Sequence, residues 1–131
     1  MPKKPLIAVV DDDESMRRTT KDLLESAGFR AATFKSAESF LKSSRRSGVA
    51  CLITDMRMPG ISGLALPDRL VASGTPIPTI IVTAYPEDGA QARAVAAGVC
   101  CYLAKPFAAQ ELLACIDRAL AAGTPSHSGS V

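Results

Sequence analysis

The chain has 131 residues, 15 basic against 13 acidic, a net charge of +2, 47% hydrophobic residues, 5% aromatics and no tryptophan. That length suits one domain, and the charge excess is too small to argue for nucleic-acid binding. The core must be aliphatic, which favours buried parallel strands covered by helices.

Leu6-Ile7-Ala8-Val9-Val10 predicts the first strand. The apolar run after the basic start is too short for a signal peptide or a membrane span, and the protein is expected to be cytoplasmic. Asp11-Asp12-Asp13 follow, and residues 14–27 predict a helix with Met16, Leu23, Leu24 and Ala27 on its inward stripe and Gly28 as its stop. Residues 30–34 form a second, weaker strand. Ser36 and Ser39 give a partial capping pattern for a helix through about Ser44. The third strand, 50–54, runs into Asp55. After a loop from Met56 to Gly63 comes a helix to about Ser73. Pro67 lies inside it, so that helix should start late, with the proline in its first turn. The fourth strand, 79–83, ends on Thr83. A helix over 88–97 closes at Gly98. The fifth strand, 101–104, runs into Lys105-Pro106. The last helix, 108–121, turns Leu112, Leu113, Ile116, Ala119 and Leu120 inward. Residues 1–122 form the domain, and 123–131 read as a flexible tail or the start of a linker to an effector domain.

Five strand–helix pairs in a row predict an α/β fold: a doubly wound, five-stranded parallel sheet in the order 2-1-3-4-5, flavodoxin-like, with helices on both faces. The switch point of that order lies between strands one and three, which carry Asp11, Asp12 and Asp55. Ligands bind at strand carboxyl ends in such sheets. Three carboxylates there repel one another unless a cation joins them. The available ligands are oxygens, so Mg²⁺ or Mn²⁺ fits better than zinc. The bland reading is that the aspartates cap the first helix. Asp13 suits that role, whereas Asp55 precedes no helix. Lys105 can pair with Asp55, or with a phosphoryl oxygen in its place. Singly, Lys105 could be an exposed turn lysine and Thr83 an ordinary strand residue.

Together, Val10-Asp11-Asp12-Asp13, Asp55 in Thr-Asp-Met-Arg-Met-Pro-Gly-Ile-Ser-Gly, Thr83-Ala84 and Lys105-Pro106-Phe107 closely resemble the response-regulator receiver domain of two-component signalling. The resemblance spans residues 6 to about 121. It implies a phosphorelay switch module, not an enzyme in its own right, with only Mg²⁺-dependent self-phosphorylation and slow self-dephosphorylation. Asp55 would accept a phosphoryl group from a sensor histidine kinase or phosphotransfer protein. Asp12 would bind the metal directly, Asp11 mainly through water, and the backbone carbonyl of Arg57 would be a further ligand. Thr83 and Lys105 would contact the phosphoryl group. Tyr102 holds the aromatic switch position, and the face of the fourth helix, fifth strand and fifth helix would carry the output, with a homodimer through that face on phosphorylation. Arg93, Glu111, Asp117 and Arg118 give it mixed charge. The motif wording resembles receivers of transcription regulators, with no nucleic-acid contact by this domain itself. Tyr85, and Pro86 after it, depart from the pattern beside the site.

Other classes fit these residues less well. Phosphatases of the haloacid-dehalogenase type usually carry a second Asp two residues after the first, where this chain has Arg57. Flavin domains of the same strand order need a phosphate loop after strand one, where this chain has three acids. Constitutive partner binding without phosphorylation would leave the complete residue set unexplained. Cys51, Cys100, Cys101 and Cys115 lack metal-site spacing and read as buried free thiols. If both lay on the strand, Cys100 and Cys101 would point opposite ways.

Overall fold

A computed structural model of the chain describes residues 4–44, 48–56, 63–74, 76–84, 89–105 and 107–123. The elements run β1 (Leu6–Val10), α1 (Glu14–Ser26), β2 (Arg30–Phe34), α2 (Ala37–Lys42), β3 (Cys51–Asp55), a 3-10 turn (Gly63–Ala65), α3 (Leu66–Ala72), β4 (Thr79–Thr83), α4 (Ala90–Ala96), β5 (Cys101–Ala104) and α5 (Ala109–Gly123). The five strands make one sheet in the order β2-β1-β3-β4-β5, and every pairing is parallel.

Side chains alternate across a strand, so each strand feeds two cores. Ile7, Val9, Cys51, Ile53, Ile80, Val82 and Cys101 point to one face, where Leu24 of α1 and Leu112, Ile116 and Ala119 of α5 cover them. Leu6, Ala8, Val10, Ala32 and Leu52 point to the other and meet Phe40 of α2 and Leu66 and Leu70 of α3. Beyond them on that face, Ile81 packs with Met56, Ala94 and Val99. Strands buried on both sides must read as continuous apolar runs. That is why β1, β3 and β4 stood out, and why half-exposed β2 at the edge was weaker.

Local signals set the helix starts. The Asp13 carboxylate accepts from the amides of Ser15 and Met16 at the head of α1, and the Ser36 hydroxyl accepts from the Ser39 amide at the head of α2. Both satisfy amides that have no carbonyl partner within the helix. Pro67 stands in the first turn of α3, where its missing N–H costs nothing. Gly28 ends α1 with φ 94°, a backbone that side-chain-bearing residues avoid.

Two expectations need correction. Ala27 is exposed, because α1 ends at Ser26 and Ala27 is its cap; Thr20 is buried on that helix instead. α2 stops at Lys42, short of Ser44. Arg57, Tyr85, Pro86, Pro106 and the tail from 124 onward fall outside the described residues.

Candidate functional site

The extended chain of β1 continues one residue past the strand, where the Asp11 amide donates to the Phe34 carbonyl at 3.1 Å. This carries Asp11 to the carboxyl edge of the sheet, buried at 3% exposure. One Asp11 oxygen (Oδ1) accepts from the Asp13 amide at 2.9 Å. Asp12, next in the turn, is exposed. Asp55 ends the adjacent β3 and shares the face of Ile53. The side chains of Asp11, Asp12 and Asp55 each offer a carboxylate oxygen, and these lie within 4.8 Å of one another. The predicted acid cluster is thus assembled from β1, its following turn and β3.

Lys105 continues β5, with its amide bonded to the Thr83 carbonyl at 2.7 Å. It falls on the same side of the sheet as Cys101 and Leu103. Its ammonium lies 3.1 Å from Asp11 Oδ2 and 3.5 Å from Asp55 Oδ2. The pairing is therefore closer to Asp11 than to Asp55, the partner expected from sequence. Burial pushes the ammonium toward its neutral form, but the hydrogen bond and charge of Asp11, with help from Asp55, outweigh this and raise its pKa above the ordinary value.

Thr83 is fully buried at the end of β4. Its alternation places it on the face of Ile81, and register sets Ile81 beside Tyr102. Thr83 and Tyr102 thus share the α4 face, while Asp11, Asp55 and Lys105 occupy the other. Tyr102 packs against Met56, Ile81, Ala94 and Val99. Its hydroxyl oxygen is already covered and has no hydrogen-bond partner among the described residues. A buried, unsatisfied hydroxyl is destabilising. Tyr102→Phe should therefore raise stability by about 1 kcal/mol, measured by urea denaturation. An equal loss would mean that the hydroxyl has a partner.

The donor set fits a hard divalent cation. The three acids supply oxygens only, one of them exposed and approachable, and the resident ammonium shows that the pocket favours positive charge. The soft ligands lie elsewhere. Cys51 and Cys115 sit in the core between sheet and α5; burial pushes both thiols up to about 12, Cys115 also through its hydrogen bond with Cys101. They are inert core residues at neutral pH.

Against known families, residues 7–117 match the response regulator receiver domain. The chain belongs to that family. Among curated relatives, this receiver is 35% identical to the transcriptional regulatory protein FixJ of Bradyrhizobium diazoefficiens over 126 residues, covering 96% of this chain and 62% of FixJ. It is 38% identical to nodulation protein W of the same organism, covering 84% of this chain and 48% of that protein. It therefore spans about half the length of the curated relatives it matches. Among solved structures, the response regulator StyR superposes with a TM-score of 0.83 at 42% identity, over 92% of this chain and 61% of StyR.

Three residues that shape the receiver site escaped the sequence reading. Arg17, one turn into α1, bonds the Asp11 carbonyl oxygen through Nη1 at 2.7 Å. Thr20, buried on the same helix, lines a cavity together with Lys105. Gly63 lies so close to Asp55 that a Cβ there would stand 2.3 Å from the Asp55 carbonyl oxygen. Gly63 could have been suspected from its place in the Asp55 motif. Arg17 had no local signal.

Proposed function

We propose that this domain is a phosphorylation-controlled switch whose phosphoacceptor is Asp55. One observation carries the reading: three carboxylates within 4.8 Å at one sheet edge, two of them held by the same ammonium. An Asp55 oxygen attacks the phosphorus of a phosphohistidine on a sensor kinase or phosphotransfer protein. The new O–P bond forms as the P–N bond breaks, and the imidazole leaves with the bonding pair and takes up a proton. Such transfers depend on positioning and charge neutralisation rather than on covalent help from the protein. Lys105, released from Asp55, turns its charge to the incoming phosphoryl oxygens. Asp11 holds Lys105 at that edge throughout. Asp11, Asp12 and Asp55 would hold a Mg²⁺ or Mn²⁺ ion, which would supply the remaining positive charge.

The added charge then draws the Thr83 hydroxyl. Thr83 and Tyr102 share the α4 face, so a shift of one changes the space of the other, and the surface of α4, β5 and α5 is the output face. Moving a two-state element from 1:99 to 99:1 takes about 5.5 kcal/mol of differential stabilisation. Charge-assisted hydrogen bonds of about 1.5–3 kcal/mol each make that reachable. Control of transcription through an effector domain, as the name of the transcriptional regulatory protein FixJ indicates for that protein, completes the proposal. Among the described residues no helix is long and apolar enough to cross a membrane.

The test is incubation with acetyl phosphate and Mg²⁺ followed by intact mass. The expected result is a gain of one phosphoryl group, absent without Mg²⁺ and absent in Asp55→Asn. A gain that persists in Asp55→Asn would overturn the assignment.

A further inference from the structure

The turn between β1 and α1 is closed by three hydrogen bonds. Asp11 Oδ1 accepts from the Asp13 amide at 2.9 Å. The Asp13 carbonyl accepts from the Arg17 amide at 3.0 Å. The guanidinium of Arg17 returns to the Asp11 carbonyl oxygen at 2.7 Å, in a partly buried setting. These bonds link Asp11, Asp13 and Arg17 in a ring, and exposed Asp12 is the residue between its first two members. The ladder between β1 and β3 ends at Val10 and Thr54, so the Asp11 carbonyl lies beyond strand pairing. A buried carbonyl left without a donor is costly. Arg17 is the side chain that supplies one. Its neighbour Arg18 is different: it pairs with Glu14 at 3.4 Å on the open surface, both side chains about three-quarters exposed at 74% and 75%.

We propose that Arg17 is a positioning residue for the acidic cage: by tying the start of α1 back to the Asp11 carbonyl, it holds Asp11 and Asp12 in the arrangement that accepts a divalent cation. This rests on the metal-binding role given above to Asp11, Asp12 and Asp55. Arg17 acts on the cage in two opposing ways. Its charge repels an incoming cation, so loss of charge alone would tighten binding. Its hydrogen bond orders the turn before the cation arrives, so loss of that bond makes binding bear the ordering cost. Groups that orient ligands from behind typically govern metal affinity by 10–100-fold. The solvent-facing side of the turn screens the repulsion. Ordering therefore dominates.

The test is an Mg²⁺ titration of the full chain followed by ¹H–¹⁵N NMR, with no phosphoryl donor present. The variants are Arg17→Ala, Arg17→Lys and Arg18→Ala. Arg17→Ala should bind Mg²⁺ roughly tenfold more weakly. Arg18→Ala, which removes the same charge, should stay within about twofold of the parent. Arg17→Lys, which keeps a donor and the charge, should recover part of the loss. In the metal-free protein, the Asp12 and Asp13 amides of Arg17→Ala should exchange faster with solvent. If Arg17→Ala fails to fold, Arg17→Met keeps the aliphatic stem and reads the same loss. Affinity in the Arg17 variants equal to or tighter than the parent's would overturn the inference. Absence of Mg²⁺ binding in the parent would instead overturn the metal-site reading and this inference with it.

Discussion

Lys105→Met should lower stability by about 2 kcal/mol in metal-free buffer, and saturating Mg²⁺ should return most of that loss. Lys105 is the cation between Asp11 and Asp55, at 3.1 and 3.5 Å, with its side chain 13% exposed and theirs 5% and 15%. Breaking a fully buried ion pair by removing one partner costs about 3–5 kcal/mol, because the other charge stays behind uncompensated. Exposed Asp12 shows that solvent reaches this site from one side, which lowers the figure to about 2 kcal/mol. Methionine keeps the length and the apolar stem, so the loss reports charge rather than packing. A divalent cation restores neutrality by another route, so Mg²⁺ should stabilise the variant more than the parent. Urea titrations with and without Mg²⁺ measure both effects. An equal loss in the two buffers would refute the charge argument.

The same pair sets a pH dependence. The native pKa of Lys105 lies above the ordinary 10.5. The native state therefore holds this proton more tightly than the unfolded chain does. Its contribution to stability is fully present below pH 10.5 and is lost as pH rises through the elevated native value. Lys105→Met should lack that alkaline component.

Gly63→Ala should cost about 2–3 kcal/mol, the upper part of the roughly 1–3 kcal/mol typical for forcing an extra methyl into a filled space, and should disturb Asp55 above all. An added Cβ would stand 2.3 Å from the Asp55 carbonyl oxygen, 3.1 Å from its carbonyl carbon and 3.2 Å from Ile81 Cδ1. The nearest obstacle is backbone, which cannot rotate aside. Either the turn before α3 or the end of β3 must move. The Gly63 amide also donates to the Met56 carbonyl at 3.1 Å, so the displaced segments are bonded to one another just after Asp55. The measurements are a urea midpoint, the amide shifts of residues 53–56 and the rate of phosphorylation by acetyl phosphate. A variant within about 0.5 kcal/mol of the parent, the range of a neutral surface change, with unmoved Asp55 shifts, would disprove the close approach.

Much of this fold was legible because each strand carries its own label. β1, β3 and β4 are buried on both faces, so burial demands unbroken apolar runs. A polar residue ending such a run has nowhere to lie except the sheet edge. Asp11, Asp55 and Thr83 were found that way, and Lys105 by the shorter apolar run of the edge strand β5. Short-range chemistry was legible too. Asp13 and Ser36 cap helices through amides two and three residues away, and Pro67 could occupy only a first turn.

Contacts between distant segments were a different matter. Lys105 was expected opposite Asp55, yet its shorter bond goes to Asp11, 94 positions away, because strand register and side-chain reach choose between two acids of equal charge. Composition and spacing do not carry that choice. The return of Arg17 to the Asp11 carbonyl depends on how α1 leaves β1. The clash at Gly63 depends on a loop passing within van der Waals distance of another strand's backbone. The covered hydroxyl of Tyr102 depends on where α4 settles. By itself the sequence determined which residues reach the sheet edge, since periodic burial is encoded one residue at a time. Only the tertiary structure decided which of them touch, since distances between chain segments arise from packing that no local run of residues contains.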